Sequence, residues 1–160
     1  FTKGFPWEFD IETFGYNYRL DEIRSALGNN QLKRLMKMNN ERRKAAKYYD
    51  SELRDIHGII LPSQEDTSAN SWHLYVIKIE KNSKMSRNSL FNHLLSHGIR
   101  TSVHYKPLHL FSIYKKHAKT NSSLKTSKKL YEEILSLPIF PGITKAQQNL
   151  VISAIKKKII

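Results

Sequence analysis

The sequence predicts a small α/β lobe, and three observations carry that prediction. From about Leu20 to Ile56, apolar residues recur at spacings of three and four, the period of a helix. Farther on, the aromatic and β-branched run Trp72-His73-Leu74-Tyr75-Val76-Ile77-Lys78-Ile79 reads as a strand, and Ile99 to Tyr105 as a second strand. Around and after these strands, capping residues paired with apolar periodicity mark more helices.

Taken in order, residues 1–18 form an irregular segment with Gly4, Pro6 and Gly15. Its large aromatics, Trp7, Phe9, Phe14, Tyr16 and Tyr18, either cover a core or belong to an interface. The long helix that follows carries Leu20, Ile23, Leu27, Leu32, Leu35, Ala45, Ala46, Tyr49, Leu53 and Ile56. Asp21 and Glu22 supply the acidic residues favoured in a first turn. Gly28 costs it about 1 kcal/mol relative to Ala without breaking it, and Gly58 is a stop signal. Pro62 to Asn70 is a polar loop leading to the first strand. Ser86 is an N-cap for a helix with Leu90, Phe91, Leu94 and Leu95, closed by Gly98. The second strand ends at Lys106-Pro107, because proline cannot donate to a ladder. Leu124 to Leu135 reads as helix, and Pro138 and Pro141 hold Ile139-Phe140 extended. Thr144 with Gln147 forms a capping box for a last helix bearing Val151, Ile152 and Ile155.

Composition narrows the function classes. With 160 residues and 39% hydrophobic content, the chain is a globular domain of ordinary size or a piece of a larger one. No apolar run approaches the ~20 residues needed to span a bilayer. The start, Phe1-Thr2-Lys3-Gly4, lacks the apolar stretch of a signal peptide, and its Phe in place of Met suggests a fragment or processed product. The absence of cysteine removes disulfides, thiol catalysis and cysteine–zinc sites and is compatible with a cytoplasmic protein. The net charge of +13, from 27 basic against 14 acidic side chains, raises a polyanion-binding module as a rival reading. Yet the lysines are scattered, with clusters only at Lys115-Lys116, Lys128-Lys129 and Lys156 to Lys158, which describes a solvated basic surface. No recognition helix or exposed aromatic platform supports nucleic acid, and no P-loop or dinucleotide fingerprint is present.

The chemistry-bearing residues fall in two places. Phe14-Gly15-Tyr16-Asn17-Tyr18-Arg19 forms a turn feeding a helix N-terminus, where unpaired N–H groups and a positive dipole end suit a phosphate. An ordinary loop-to-helix junction has the same residues, and the two readings stay open. His104 and His109 make a poor metal pair, because no carboxylate accompanies them and their spacing crosses Pro107. A packed loop with half-exposed histidines is an equal reading. Trp72 and His73 read as strand packing.

Together these residues resemble a known family. The run from Gly15 to Arg19 resembles the glycine–aromatic–asparagine–aromatic–arginine signature of the DegT/StrS nucleotide-sugar aminotransferases, which use pyridoxal phosphate. Further matching blocks follow in order: Ala26-Leu27-Gly28 with Gln31-Leu32, Ser71 to Tyr75, Gly98-Ile99 with Val103 to His109 and Tyr114, and Leu135-Ser136-Leu137-Pro138 with Phe140-Pro141. The resemblance implies the C-terminal small domain of the aspartate-aminotransferase (type I) fold. Its small, mostly antiparallel sheet would be packed with helices and preceded by a long connecting helix. It divides the chain into residues 1–19, the end of a large cofactor domain, residues 20–58, the connecting helix, and residues 59–160, the small domain. It places Asn17 at the cofactor phosphate of a partner subunit, with Tyr16 and Arg19 in the same motif, and His104, Tyr105 and His109 near a sugar nucleotide. Arg19 could hold a donor carboxylate or anchor its own turn. The implied reaction moves an amino group from glutamate to a nucleotide-linked ketosugar, as in the UDP-4-keto-6-deoxy-sugar 4-aminotransferases of surface-glycan synthesis, in a cytoplasmic homodimer. No lysine here matches the Schiff-base lysine, since Lys3 stands too close to the motif and lacks its serine and glycine context. The chain alone is therefore expected to be inactive. A relative with histidine in place of that lysine would be a sugar dehydratase.

Overall fold

In the computed structural model, which describes residues 14–16, 18–63, 70–81, 83–117, 119 and 123–159, the long periodic stretch becomes helix α1, Glu22–Leu53. Asp21 caps it: its carboxylate accepts the Arg24 backbone N–H at 2.8 Å, and its carbonyl accepts that of Ser25. The chain divides into two compact units, Phe1–Arg34 and Leu35–Ile160. In the first, the described residues are irregular up to the start of α1, and Phe14, Tyr16, Tyr18, Leu20, Ile23 and Leu27 are exposed.

In the second unit, α1 buries a face only from Ala45 onward, through Ala46, Tyr49 and Leu53. Leu35, which shares the helical spacing, is exposed, so the apolar period continues past the residues that this core covers. The helix stops at Leu53, and Gly58 turns the chain afterwards with φ +85°, a conformation that a Cβ disfavours. Two strands follow, β1 (Ile59–Ile60) and β2 (Tyr75–Ile79), and a third, β3 (Ile134–Leu137), completes a sheet of order β1-β2-β3. Both pairings are antiparallel, Ile59 opposite Ile79 and Tyr75 opposite Leu137. Along β2, Tyr75, Ile77 and Ile79 are buried while Val76 and Lys78 are half-buried, the alternation expected of a sheet with one core face.

Helices α2 (Arg87–Ser96) and α5 (Lys145–Ile159) pack against that core with α1. Ser86 caps α2, its hydroxyl accepting the Ser89 N–H at 3.2 Å. Gly98, at φ +73°, closes it while Ile99 N–H returns to the Leu94 carbonyl at 2.9 Å. The capping box at the start of α5 is formed: Thr144 N–H donates to Gln147 Oε1 at 2.9 Å, and Gln147 N–H to Thr144 Oγ1 at 3.2 Å. Val151, Ile152 and Ile155 are buried, as the periodicity predicts. A 3-10 turn at Leu108–Leu110 and two further helices, α3 (Ser112–His117) and α4 (Lys125–Glu133), complete the described elements. Among the described residues, no helix is long and apolar enough to cross a membrane.

The structure corrects the sequence reading at several places. The strand expected from Trp72 begins at Tyr75, because Trp72 takes a left-handed conformation, φ +49°, as Asn70 Oδ1 accepts its backbone N–H at 2.8 Å. Trp72 is buried, its ring 5.9 Å from that of Tyr75, so its packing role holds while its strand placement does not. The strand expected over Ile99 to Tyr105 reduces to one bridge, Ser102 to Ser136. Leu124 to Leu135 splits into α4 and the first half of β3 with no residue between them. The Pro62 to Asn70 loop, Trp7, Phe9, Lys3 and Asn17 lie wholly or mainly outside the described residues.

Candidate functional site

The phosphate-turn candidates are built on the last irregular residues before α1. Tyr16 and Tyr18 are exposed and meet edge-to-face, with ring centroids 6.0 Å apart. Arg19 is exposed beside them, and Asn17 lies outside the described residues. The helix end behind them is already engaged, since Asp21 accepts the N–H groups of Arg24 and Ser25 and forms an ion pair with the Arg24 guanidinium at 3.3 Å. A phosphate here would meet side-chain donors, the Tyr16 hydroxyl and the Arg19 guanidinium, with the helix dipole already opposed by a carboxylate. Among the described residues of this exposed turn, nothing encloses a cofactor ring.

The second candidate is an open groove of about 320 Å³ in the second unit. Sheet pairing positions its floor. β3 pairs with β2 along one edge, and on the other Ser136 exchanges backbone hydrogen bonds with Ser102, at 2.8 Å and 3.3 Å. That bridge draws the segment after Gly98 against the sheet, so Arg100, Thr101 and His104 join His73 and Ser136 along the groove. Leu137 and Phe140 add an apolar wall. The Pro138 carbonyl accepts the Tyr49 hydroxyl at 2.9 Å, tying this wall to the core helix α1. Tyr75, beneath, donates to the Asp50 carboxylate at 2.6 Å, and Asp50 is 5% exposed. Burial pushes both phenols well above the ordinary tyrosine range; the Asp50 carboxylate adds to the rise at Tyr75, and a side-chain hydrogen bond from Gln148 opposes it at Tyr49. Both hydroxyls therefore remain fixed donors.

His104 is half-buried, with Nδ1 2.9 Å from Ser136 Oγ and its ring edge-on to Tyr105. Tyr105 is 73% exposed, and His109 is half-buried in the 3-10 turn. Lys106 lies over the Phe111 ring at 4.9 Å, a cation–π contact that steadies this loop. Of the three sugar-site candidates, His104 lines the groove, and Tyr105 and His109 do not. The groove adds Arg100 and Thr101, which sequence reasoning did not single out, and Ser136, which it named only within a matching block and not as a site residue. Ser136 carried two signals, its place in that block and its alternation with Leu135 and Leu137. Among the described residues no carboxylate lines the groove; the Arg100 guanidinium only donates and the imidazoles can donate, so a ligand rich in oxygen acceptors can meet them. A larger cleft, about 610 Å³, opens elsewhere beside Asp55, His57, Glu80 and Lys84 and contains none of the predicted residues. Among the described residues no three histidine or carboxylate side chains gather as for a metal ion.

Comparison with known proteins places this geometry. The spore coat polysaccharide biosynthesis protein SpsC of Bacillus subtilis is 31% identical over 159 residues, 98% of this chain and 41% of its own length. The UDP-4-amino-4,6-dideoxy-N-acetyl-beta-L-altrosamine transaminase of Campylobacter jejuni is 36% identical over 132 residues, covering 82% of this chain and 35% of its own. The solved structure of DesV from S. venezuelae superposes with a TM-score of 0.82 at 33% identity, covering 96% of this chain and 40% of that one. The fold is thus that of part of an aminotransferase, and the chain spans about two-fifths of the length of such relatives. Aminotransferases of this kind are pyridoxal phosphate enzymes. The model of the DegT/DnrJ/EryC1/StrS aminotransferase family matches residues 4–156, and the chain belongs to that family.

Proposed function

We propose that this chain is the small lobe of a sugar aminotransferase and that its groove takes the oxygen-rich part of a nucleotide-linked ketosugar. The observation that carries the reading is a carboxylate-free lining in which the Arg100 guanidinium and the imidazoles of His73 and His104 stand over a floor pinned by Ser136. Guanidinium and imidazole donors at the mouth of an apolar wall suit a diphosphate and sugar hydroxyls. Titrating UDP into the labelled chain should move the resonances of Arg100 and His104; resonances that stay still at saturating UDP would sink this assignment.

In the whole enzyme, bound pyridoxal phosphate supplies the electron sink through which the amino group passes from glutamate to the sugar. Asn17, Tyr16 and Arg19 hold the cofactor phosphate from the neighbouring subunit of a homodimer, by amide, hydroxyl and guanidinium donors. The Schiff-base lysine comes from outside this chain, and the chain alone does not transaminate. The cellular role is amino-sugar synthesis for surface glycans, in the cytoplasm. Replacing Asn17 with Ala in the cofactor-loaded enzyme should weaken cofactor retention by about tenfold or more, the loss of one charge-assisted hydrogen bond. Unchanged retention in equilibrium dialysis would remove Asn17 from the phosphate site.

A further inference from the structure

Ser136 is held on both sides before its side chain is considered. Its backbone pairs with Val76 across β2, and its N–H and carbonyl both engage Ser102. The residue is 4% exposed, so its hydroxyl is almost closed to water. Among the described residues that hydroxyl has one partner, His104 Nδ1 at 2.9 Å. A buried hydroxyl hydrogen without an acceptor is costly. If Nδ1 carried the proton, Ser136 would accept it and its own hydrogen would go unpaired. If Ser136 donates to Nδ1, the hydroxyl hydrogen is satisfied and the imidazole proton sits on Nε2.

We propose that Ser136 is a positioning residue that locks His104 as the Nε2–H tautomer, so that the ring presents a hydrogen-bond donor to the groove. His104 then acts in the same sense as Arg100, and the groove selects a ligand segment that offers acceptors alone, such as a diphosphate. This last clause rests on the functional reading above, whereas the tautomer does not. Tyr105, edge-on to the His104 ring at 4.8 Å, limits its rotation and leaves the tautomer to Ser136.

The test is two-bond nitrogen–proton correlation on the labelled full chain at about pH 9, above the range in which imidazoles ordinarily titrate. The expected wild-type pattern shows Nε2 protonated and Nδ1 as the acceptor; a dominant Nδ1–H pattern overturns the proposal. In Ser136→Ala, the ring nitrogens should move toward the averaged shifts of exchanging tautomers, and Ser136→Thr, which keeps the hydroxyl and suits a strand, should restore them. Identical His104 patterns in wild type and Ser136→Ala overturn it, and the wild-type spectrum decides alone if the alanine variant does not fold. With the tautomer established, the Kd for UDP should rise about fivefold to tenfold in Ser136→Ala and recover in Ser136→Thr. Absence of UDP binding to a wild type with the expected tautomer overturns the groove's ligand and leaves the role of Ser136 intact.

Discussion

At the scale of single residues, two buried contacts set the strongest expectations. Tyr75 donates to an Asp50 carboxylate that is almost closed to water. Tyr75→Phe keeps the ring stack on Tyr49 and Trp72 but strips the carboxylate of this donor. A loss of about 1.5–3 kcal/mol is expected, read by urea denaturation. The same pair gives a pH dependence. Both Tyr49 and Tyr75 hold their protons more tightly folded than unfolded, because burial raises their values. Their contribution is therefore whole below about pH 10, the ordinary tyrosine value, and is lost as pH climbs beyond it. Stability measured between about pH 9 and 11 should fall less steeply in Tyr75→Phe than in wild type. Gly58 sets a steric limit instead: at φ +85°, an added Cβ would stand 2.7 Å from Ser83 Oγ and 2.9 Å from Ser83 Cβ. Gly58→Ala should cost about 1–2 kcal/mol from the backbone alone. Adding Ser83→Gly should recover only the steric excess, which a double-mutant cycle separates.

At the scale of elements, what could be read from the chain was what depends on neighbours in sequence. The caps of α2 and α5 are local, each closing over three residues, and both formed where Ser86 and Thr144 signalled them. Thr144→Ala should lower stability by about 1 kcal/mol, visible as a lower melting temperature by circular dichroism. The sheet was legible only at its centre. β2 announces itself by aromatic and β-branched residues, whereas β1 is two residues long and β3 continues an apolar pattern that also suits a helix. What makes Ile134–Leu137 a strand is pairing with β2 from far along the chain, which no local pattern encodes. The groove divides the same way. His104 could be read from its motif, but its bond to Ser136 spans 32 residues, and Arg100 reaches the groove through the Ser102 bridge. Periodicity also overstated burial: Ile23 and Leu27, at helical spacing on α1, are exposed.

At the scale of the whole molecule, the charge of +13 acts on every element at once. Few ion pairs offset it among the described residues: Arg24 meets Asp21 at 3.3 Å, Lys156 meets Glu52 at 3.1 Å, and Lys78 stands 3.7 Å from the buried Glu133. Self-repulsion of this kind is screened within about 10 Å at 0.1 M salt, so raising sodium chloride from about 0.02 to 0.3 M should lift the melting temperature by about 2–4 °C. A fall in melting temperature over that range would show that attractive pairs outweigh the repulsion. The direct passage from α4 into β3 has a consequence of another kind. Because Glu133 and Ile134 are consecutive, the helix sets the phase of the strand with no slack to absorb an error. One residue inserted there would exchange the strand's two faces, turning a leucine toward His104 and Ser136 toward the oily interior. The length of this junction is therefore fixed by the alternation of the strand, and the junction acts as a fixed counter in the chain.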